Sequence, residues 1–310
     1  MSHEVESMFS VRETPWHGLG KVLTQAPTVT EAMVQAGLDW EVSLAPVEYQ
    51  GQTLPHLANV VIRSNDNKPL GVVGPQWTPL QNAQAFDWFS PFLDSNLCTL
   101  ETAGSLHGGR VVWVMARITT GDMQIEDGDA VRKYLLLSNS HDGSQSVRVG
   151  FSPIRVVCAN TLGMAHRDTA SKLLRIRHTH ALHYTLAQVR DTINAADEAF
   201  NATAIQYRKL ARLPISRIDL ERYITQVVAQ NPSDTTAQEK NKIAEICRLA
   251  TDGRGNEGRK LTLWTGYNGL TEYLNYESGR TADTRLDSLW FGKAQNLSNY
   301  ALEVGIQLAA

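Results

Sequence analysis

Hydrophobic periodicity changes character near residue 180, and no other feature restricts the possible folds of this chain as much. Before that point, short runs rich in Val, Ile, Leu and Tyr alternate with clusters of Gly, Pro, Asn and Asp, the pattern of strands and turns. After it, Leu186, Val189, Ile193, Ala196, Phe200, Ala204, Tyr207 and Leu210 recur at intervals of three or four, as on the buried stripe of an amphipathic helix. The expected fold class is therefore α+β, with a mainly antiparallel sheet in the N-terminal half packed with helices and a helical C-terminal half. The corresponding division is a β-rich core domain over residues 1–180 and a mainly helical region over residues 181–310 packed on it.

Local signals fill in this outline. Pro15 to Gly20 reads as a tight turn, and Thr28-Val29-Thr30-Glu31 has the Thr-x-x-Glu form of a capping box, so a short helix is expected from Thr28 to about Ala36. Trp40 to Tyr49, His56 to Arg63 and Gly71 to Gly74 read as strands of one sheet, followed by a helix over Asn82 to Leu93. Leu97 to Ala103 and Arg110 to Thr119 form a hairpin whose second arm places Val112, Val114, Ala116 and Ile118 on one face. Tyr134 to Ser138 and Ser146 to Phe151 form another strand pair, turned at His141-Asp142-Gly143-Ser144. A helix of about thirty residues should run from His183 to Leu213-Pro214, with further helices over Arg217 to Gln230, Thr236 to Ala250, Thr262 to Tyr276 and Asn296 to Leu308. The glycine-rich loop around Gly253 to Gly258 lacks the Lys-Ser/Thr ending of a phosphate loop and reads as a flexible connector, with Arg254, Arg259 and Lys260 as secondary candidates for nucleic-acid contact.

Composition limits function more than fold. A net charge of −3 rules out a polycation, so any contact with nucleic acid must come from a local patch. Cys98, Cys158 and Cys247 are far apart and form no Cys-x-x-Cys pair, which argues against a disulfide framework and a zinc ribbon and fits a reducing compartment. No apolar run approaches the about 20 residues of a membrane span, nor does the start resemble a signal peptide. A cytoplasmic protein with no membrane association is expected.

One stretch departs from this acidic average. Between Arg148 and Arg190 there are seven basic side chains and a single acid, Asp168, with histidines interleaved. Arg148, Arg155, Lys172, Arg175, Arg177 and His178 could follow a phosphate backbone, and a solvated surface paired with acids elsewhere explains the same residues. His166, His178, His180 and His183, with Cys158, could hold a metal only if they met in space, and no carboxylate or second thiol stands at a familiar spacing, so neither a metal nor a cofactor is expected. His141 and Asp142 fit a turn better than a catalytic pair, and the flank of Cys158 suggests an inert buried thiol. Trp77, Trp88, Trp113 and Tyr134 are available for base stacking, though tryptophans in strands usually belong to the core.

Three groups of residues carry a resemblance. They are Pro15-Trp16-His17-Gly18-Leu19-Gly20, the central Leu135 to Ser144 with Gly150 to Leu162 and Ile176-Arg177-His178-Thr179, and Gly266-Tyr267-Asn268-Gly269-Leu270-Thr271-Glu272-Tyr273 with Trp290-Phe291-Gly292. Together they resemble the phage/plasmid-like family known as domain of unknown function 932. The resemblance implies a mobile-element origin and a setting in DNA metabolism, but no active-site residue to carry over. Annealing proteins of the Red-beta, Erf and RecT type, which combine a small sheet, helices and a basic groove, offer a fold-level analogy. The resulting expectation is a non-catalytic protein of a phage or mobile element that binds and anneals single-stranded DNA as a homo-oligomer. The alternatives are a host-interaction or anti-defence protein that binds a host protein, and a hydrolase with a dispersed site of His141, Asp142 and His178.

Overall fold

A computed structural model describes residues 5–12, 20–155, 160–161, 174–192, 196–279, 288–290 and 292–310. The expected turn at Pro15 to Leu19, and His166, Arg167, Lys172 and Cys158, lie outside the described residues. The fold is α+β, with mostly antiparallel pairing. Two compact units are present, but they do not divide at residue 180. One comprises residues 1–120, 134–151 and 173–194, and the other residues 121–133, 152–172 and 195–310. The expected boundary followed the change in periodicity, whereas two long strands each contribute residues to both units.

In the first unit, β1 (Val5–Val11) pairs in parallel with β2 (Lys21–Leu23). Thr28 caps α1 (Val29–Gln35) through the expected box, its hydroxyl accepting from Glu31 N while the Glu31 carboxylate accepts from Thr28 N. A three-stranded antiparallel sheet follows from β3 (Val42–Pro46), β6 (Asn59–Arg63) and β7 (Pro69–Val73), with the small hairpin β4 (Glu48–Tyr49) and β5 (Gln52–Thr53) inserted between β3 and β6. The single helix expected over Asn82 to Leu93 forms as two short ones, α2 (Asn82–Asp87) and α3 (Ser90–Asp94), because Pro91 lacks the N–H that a continuous helix would need there.

The main sheet of this unit contains β8 (Cys98–Leu106) and β9 (Val111–Ile118), which form the expected hairpin. β1 pairs with β8 on one side, and the Tyr134–Ser140 part of β11 (Asp129–Ser140) pairs with β9 on the other. β12 (Val147–Arg155) lies beside β11, and β14 (Leu174–Ile176) pairs with residues 147–149 of β12. Val112, Val114 and Ala116 sit in one core with Phe9, Leu100, Leu135 and Leu137, while Ile118 is only half-buried and Val111, Trp113 and Met115 on the opposite face are buried too, so the strand is covered on both faces and not on the alternating one alone. α4 (Leu182–Thr192) is tied into the unit by the Trp88 indole, which donates to the Leu186 carbonyl at 3.0 Å.

The second unit pairs β10 (Met123–Glu126) with the start of β11, and β13 (Asn160–Thr161) with the end of β12. Around them lie α5 (Ala196–Arg212), α6 (Arg217–Val228), α7 (Ala237–Asp252), α8 (Leu263–Glu272) and α9 (Lys293–Leu308). The expected thirty-residue helix is seen as α4 and α5 on either side of residues 193–195, which lie outside the described residues. Phe200, Ala204, Tyr207 and Leu210 form the buried stripe of α5, as their spacing predicted. α8 is buried on every side and continues into a π-helical turn at Tyr273–Glu277. No helix among the described residues is long and apolar enough to cross a membrane.

α7 and α8 touch backbone to backbone at Gly269, where a Cβ would stand 2.6 Å from Ala250 N and 2.7 Å from Ile246 O. A helix-interior glycine normally costs about 1 kcal/mol relative to alanine. Gly269→Ala should nevertheless be destabilising, by roughly 1–3 kcal/mol, because the helices would have to separate. A urea denaturation curve of this variant with a midpoint at or above that of the unchanged protein would contradict the close-approach argument.

Candidate nucleic-acid interface

The six residues expected to contact phosphate do not share one surface. Arg175 and Arg177 are exposed at β14 and just beyond it, and the alternation of exposed Arg175, buried Ile176 and exposed Arg177 is that of a half-buried strand. Arg148 is half-buried in β12, and its Cα is paired in register with that of Arg175. Lys172 lies outside the described residues.

Arg155 has to be withdrawn from the interface. Its side chain and that of Asp129 are both 0 % exposed, within the second unit. Nε donates to Asp129 Oδ1 at 2.8 Å and Nη2 to Asp129 Oδ2 at 2.5 Å, a two-point grip on the carboxylate. Nη2 also donates to the Gly255 carbonyl at 2.9 Å, and Nη1 to Asn256 Oδ1 at 3.2 Å. The Trp264 indole N–H donates to Asp129 Oδ2 at 2.9 Å, and its ring lies 5.7 Å from the guanidinium carbon. This cluster also overturns the flexible-connector reading of the glycine-rich loop. Asn256 is buried and bonds the Leu249 and Thr265 carbonyls, and Arg259 pairs with Glu126 at 2.8 Å. Glycine-rich backbone leaves carbonyls unshielded, and here they close the coordination of a buried cation.

His178 is also withdrawn as a phosphate contact, because it is 8 % exposed. Its Nδ1–H donates to the Thr78 carbonyl at 2.9 Å, and Thr78 N donates to the His178 carbonyl at 3.1 Å. The ring stacks on Trp77, with centroids 4.7 Å apart and planes 19° from parallel. Burial lowers the His178 pKa, and the bond to Thr78 only partly opposes it. His180 and His183 are exposed. Among the described residues no three His, Cys, Asp or Glu side chains gather as a metal would require.

His141 is buried in the first unit. Asn82 Nδ2 donates to the Leu38 and Trp40 carbonyls, which leaves its Oδ1 to accept from His141 Nε2 at 3.0 Å and fixes the imidazole tautomer. Asn139 donates to the Leu80 carbonyl, and the Trp40 ring lies 5.2 Å from His141. Burial pushes the His141 pKa down to about 3, and the charge of His178 adds to the effect. Asp142 Oδ1 accepts from the Ser140 hydroxyl and from Ser144 N, as expected of a turn aspartate. Burial alone would raise its pKa, but these bonds outweigh it and hold the carboxyl below its usual range. Each member of the proposed His141, Asp142 and His178 hydrolase site is thus bonded to a different neighbour. Burial also raises the Cys98 and Cys247 thiols to about 12 and about 11, so neither is a ready nucleophile.

Two features were not read from the sequence: Asp129 as the counter-charge of Arg155, and Trp77 as the stacking ring on His178. The glycines beside Asn256 hinted at the first, but nothing local linked Trp77 to a histidine a hundred residues away.

A family model described as "Domain of unknown function (DUF932)" matches residues 69–290. No curated protein and no solved structure matches the chain.

Proposed function

From the premise that the chain belongs to the domain of unknown function 932 family, which specifies no activity, we propose that it binds single-stranded DNA through the β12–β14 edge. The observation that carries this reading is the pair of exposed arginines, Arg175 and Arg177, on an edge where Arg148 lies in register with Arg175. Arginine suits phosphate because its planar fork donates two parallel hydrogen bonds and is always charged. So few cations give only modest affinity for each chain. Several copies on one strand would add their binding by raising effective concentration, and this is the argument for a homo-oligomer that anneals DNA. The mobile-element origin implied by the resemblance belongs to the same proposal.

Fluorescence anisotropy with labelled oligothymidylate, measured across a salt series, tests this reading. The unchanged protein should bind at low salt and release the strand as salt rises. Arg175→Ala with Arg177→Ala should weaken binding about tenfold at low salt and flatten the logarithmic salt slope by roughly 0.7 for each phosphate that is no longer neutralised. Absence of binding at low salt, or an unaltered slope in the double variant, would discard the edge as a nucleic-acid interface and leave a host protein as the class of partner to pursue.

A further inference from the structure

We infer that the outer face of the β3–β6–β7 sheet, together with the excursion that joins β3 to β6, is where a second copy of this chain docks. The inference rests on the homo-oligomer part of the proposed function and names the surface through which copies meet. Val42, Val61 and Val73 turn into the core of the first unit. The register then fixes what the opposite face carries: Ala45, Val60 and Val72 lie in one row across the three strands, and Ser43, Ile62 and Pro69 in the next. Five of these six residues are apolar and none is charged, although none is buried and Val72 is 62 % exposed. An antiparallel sheet with one face in water alternates apolar and polar residues. Apolar rows on both faces are the pattern of a sheet that is covered twice.

The excursion extends this surface. Val47 N donates to the Ala58 carbonyl at 3.1 Å and Leu54 N to the Val47 carbonyl at 2.7 Å, so β4 and β5 are held at the end of the β3–β6 ladder. From Ser43 to Val60 no residue is buried, Tyr49 and Leu57 are 65 % and 59 % exposed, and Glu48 carries the only formal charge. An apolar, nearly uncharged projection stands out on a chain that is 20 % charged, and exposed apolar surface of this extent marks a contact. Area narrows what fits. Three five-residue strands cover roughly 200–250 Å². That is about a third of the roughly 800 Å² that each partner gives to a stable complex, so the excursion has to supply most of the rest. A surface with one carboxylate and no cation offers nothing to a phosphate backbone and does not repel its own copy. Two copies related by a two-fold axis each bury the sheet face and the excursion, so every contact is made twice.

Sedimentation velocity of the full-length protein over a wide concentration range, without nucleic acid, tests this surface separately from the DNA reading. The unchanged protein should pass reversibly from dimer to monomer on dilution. Val72→Glu, which puts a carboxylate at an already exposed position, should raise the dissociation constant about tenfold or more. Tyr49→Ser with Leu57→Ser, which lies outside the sheet and adds no charge, should also weaken the dimer about tenfold. Ile218→Glu, at a 70 % exposed position in the second unit, is the control and should leave the constant unchanged. Far-UV circular dichroism and melting temperature, read where every variant is monomeric, should match those of the unchanged protein. A monomer at every concentration overturns the inference and leaves a different protein as the occupant of the face. Unaltered dimerisation in both Val72→Glu and the Tyr49, Leu57 double variant overturns it too. So does an equal weakening by Ile218→Glu, which makes net charge the cause. If the unchanged protein dimerises through this face but does not bind oligothymidylate, the interface stands and the DNA reading alone fails.

Discussion

Asp129→Ala is expected to cost about 3–5 kcal/mol of folding stability, the scale for removing one partner of a buried ion pair. The cause is less the missing attraction than the Arg155 guanidinium left behind, fully enclosed and always charged. Gly255 and Asn256 would still accept from it, but neither carries a formal charge. The Trp264 indole N–H would lose its acceptor as well. Urea denaturation followed by tryptophan fluorescence and by far-UV circular dichroism would measure the cost, and agreement of the two probes would justify a two-state treatment. Replacing both charges by apolar residues of similar volume, Asp129→Leu with Arg155→Met, should recover much of the loss, because no uncompensated charge remains. A loss below about 1 kcal/mol for Asp129→Ala would mean that water reaches the pair. The same experiment separates structure from function at Arg155: variants there should lower stability while leaving the salt slope for oligothymidylate unchanged.

The second large effect is acid sensitivity from His141. An ordinary imidazole titrates near 6.5, and in the folded protein this one has been driven to about 3. Above pH 6.5 the ring is neutral in both states and contributes no pH dependence. Below pH 6.5 the unfolded chain takes up a proton that the folded protein refuses, so stability falls as pH drops, and the loss levels off only below about pH 3. At pH 5 the contribution should be about 2 kcal/mol, rising to roughly 4–5 kcal/mol at the acid limit. His178 is displaced in the same direction and adds to the trend. Between pH 6.5 and 5, carboxylates with ordinary or lowered pKa values contribute little, which makes this the window to measure. His141→Gln, which can still donate to Asn82, should flatten the dependence of urea stability on pH in that window. A His141→Gln profile parallel to that of the unchanged protein would show that His141 is protonated without cost.

Much of the fold was legible locally. The Thr28 to Glu31 box, the hairpin ending in Ile118 and the turn at Asp142-Gly143 rest on interactions between residues close in the chain, so each element's own sequence contains its cause. The stripe Phe200, Ala204, Tyr207 and Leu210 was legible for a related reason, because a helix that must bury one face repeats its apolar residues at the helical period. The interface was legible only in part. Arg148, Arg155, Arg175, Arg177 and His178 look alike as a run of cationic and imidazole side chains, yet two of the five are buried and one is half-buried.

The fold class, the periods of the elements, several caps and turns, and a local excess of positive charge all follow from residues near one another in the chain. Which of those charges face solvent depends on long-range contacts. Arg155 is inside because Asp129, twenty-six residues earlier, and Asn256, about a hundred residues later, supply its charge and hydrogen bonds. His178 is inside because Thr78 and Trp77 hold it there. A charge enters a protein interior only when partners are waiting for it, and those partners come from distant positions that no local pattern specifies.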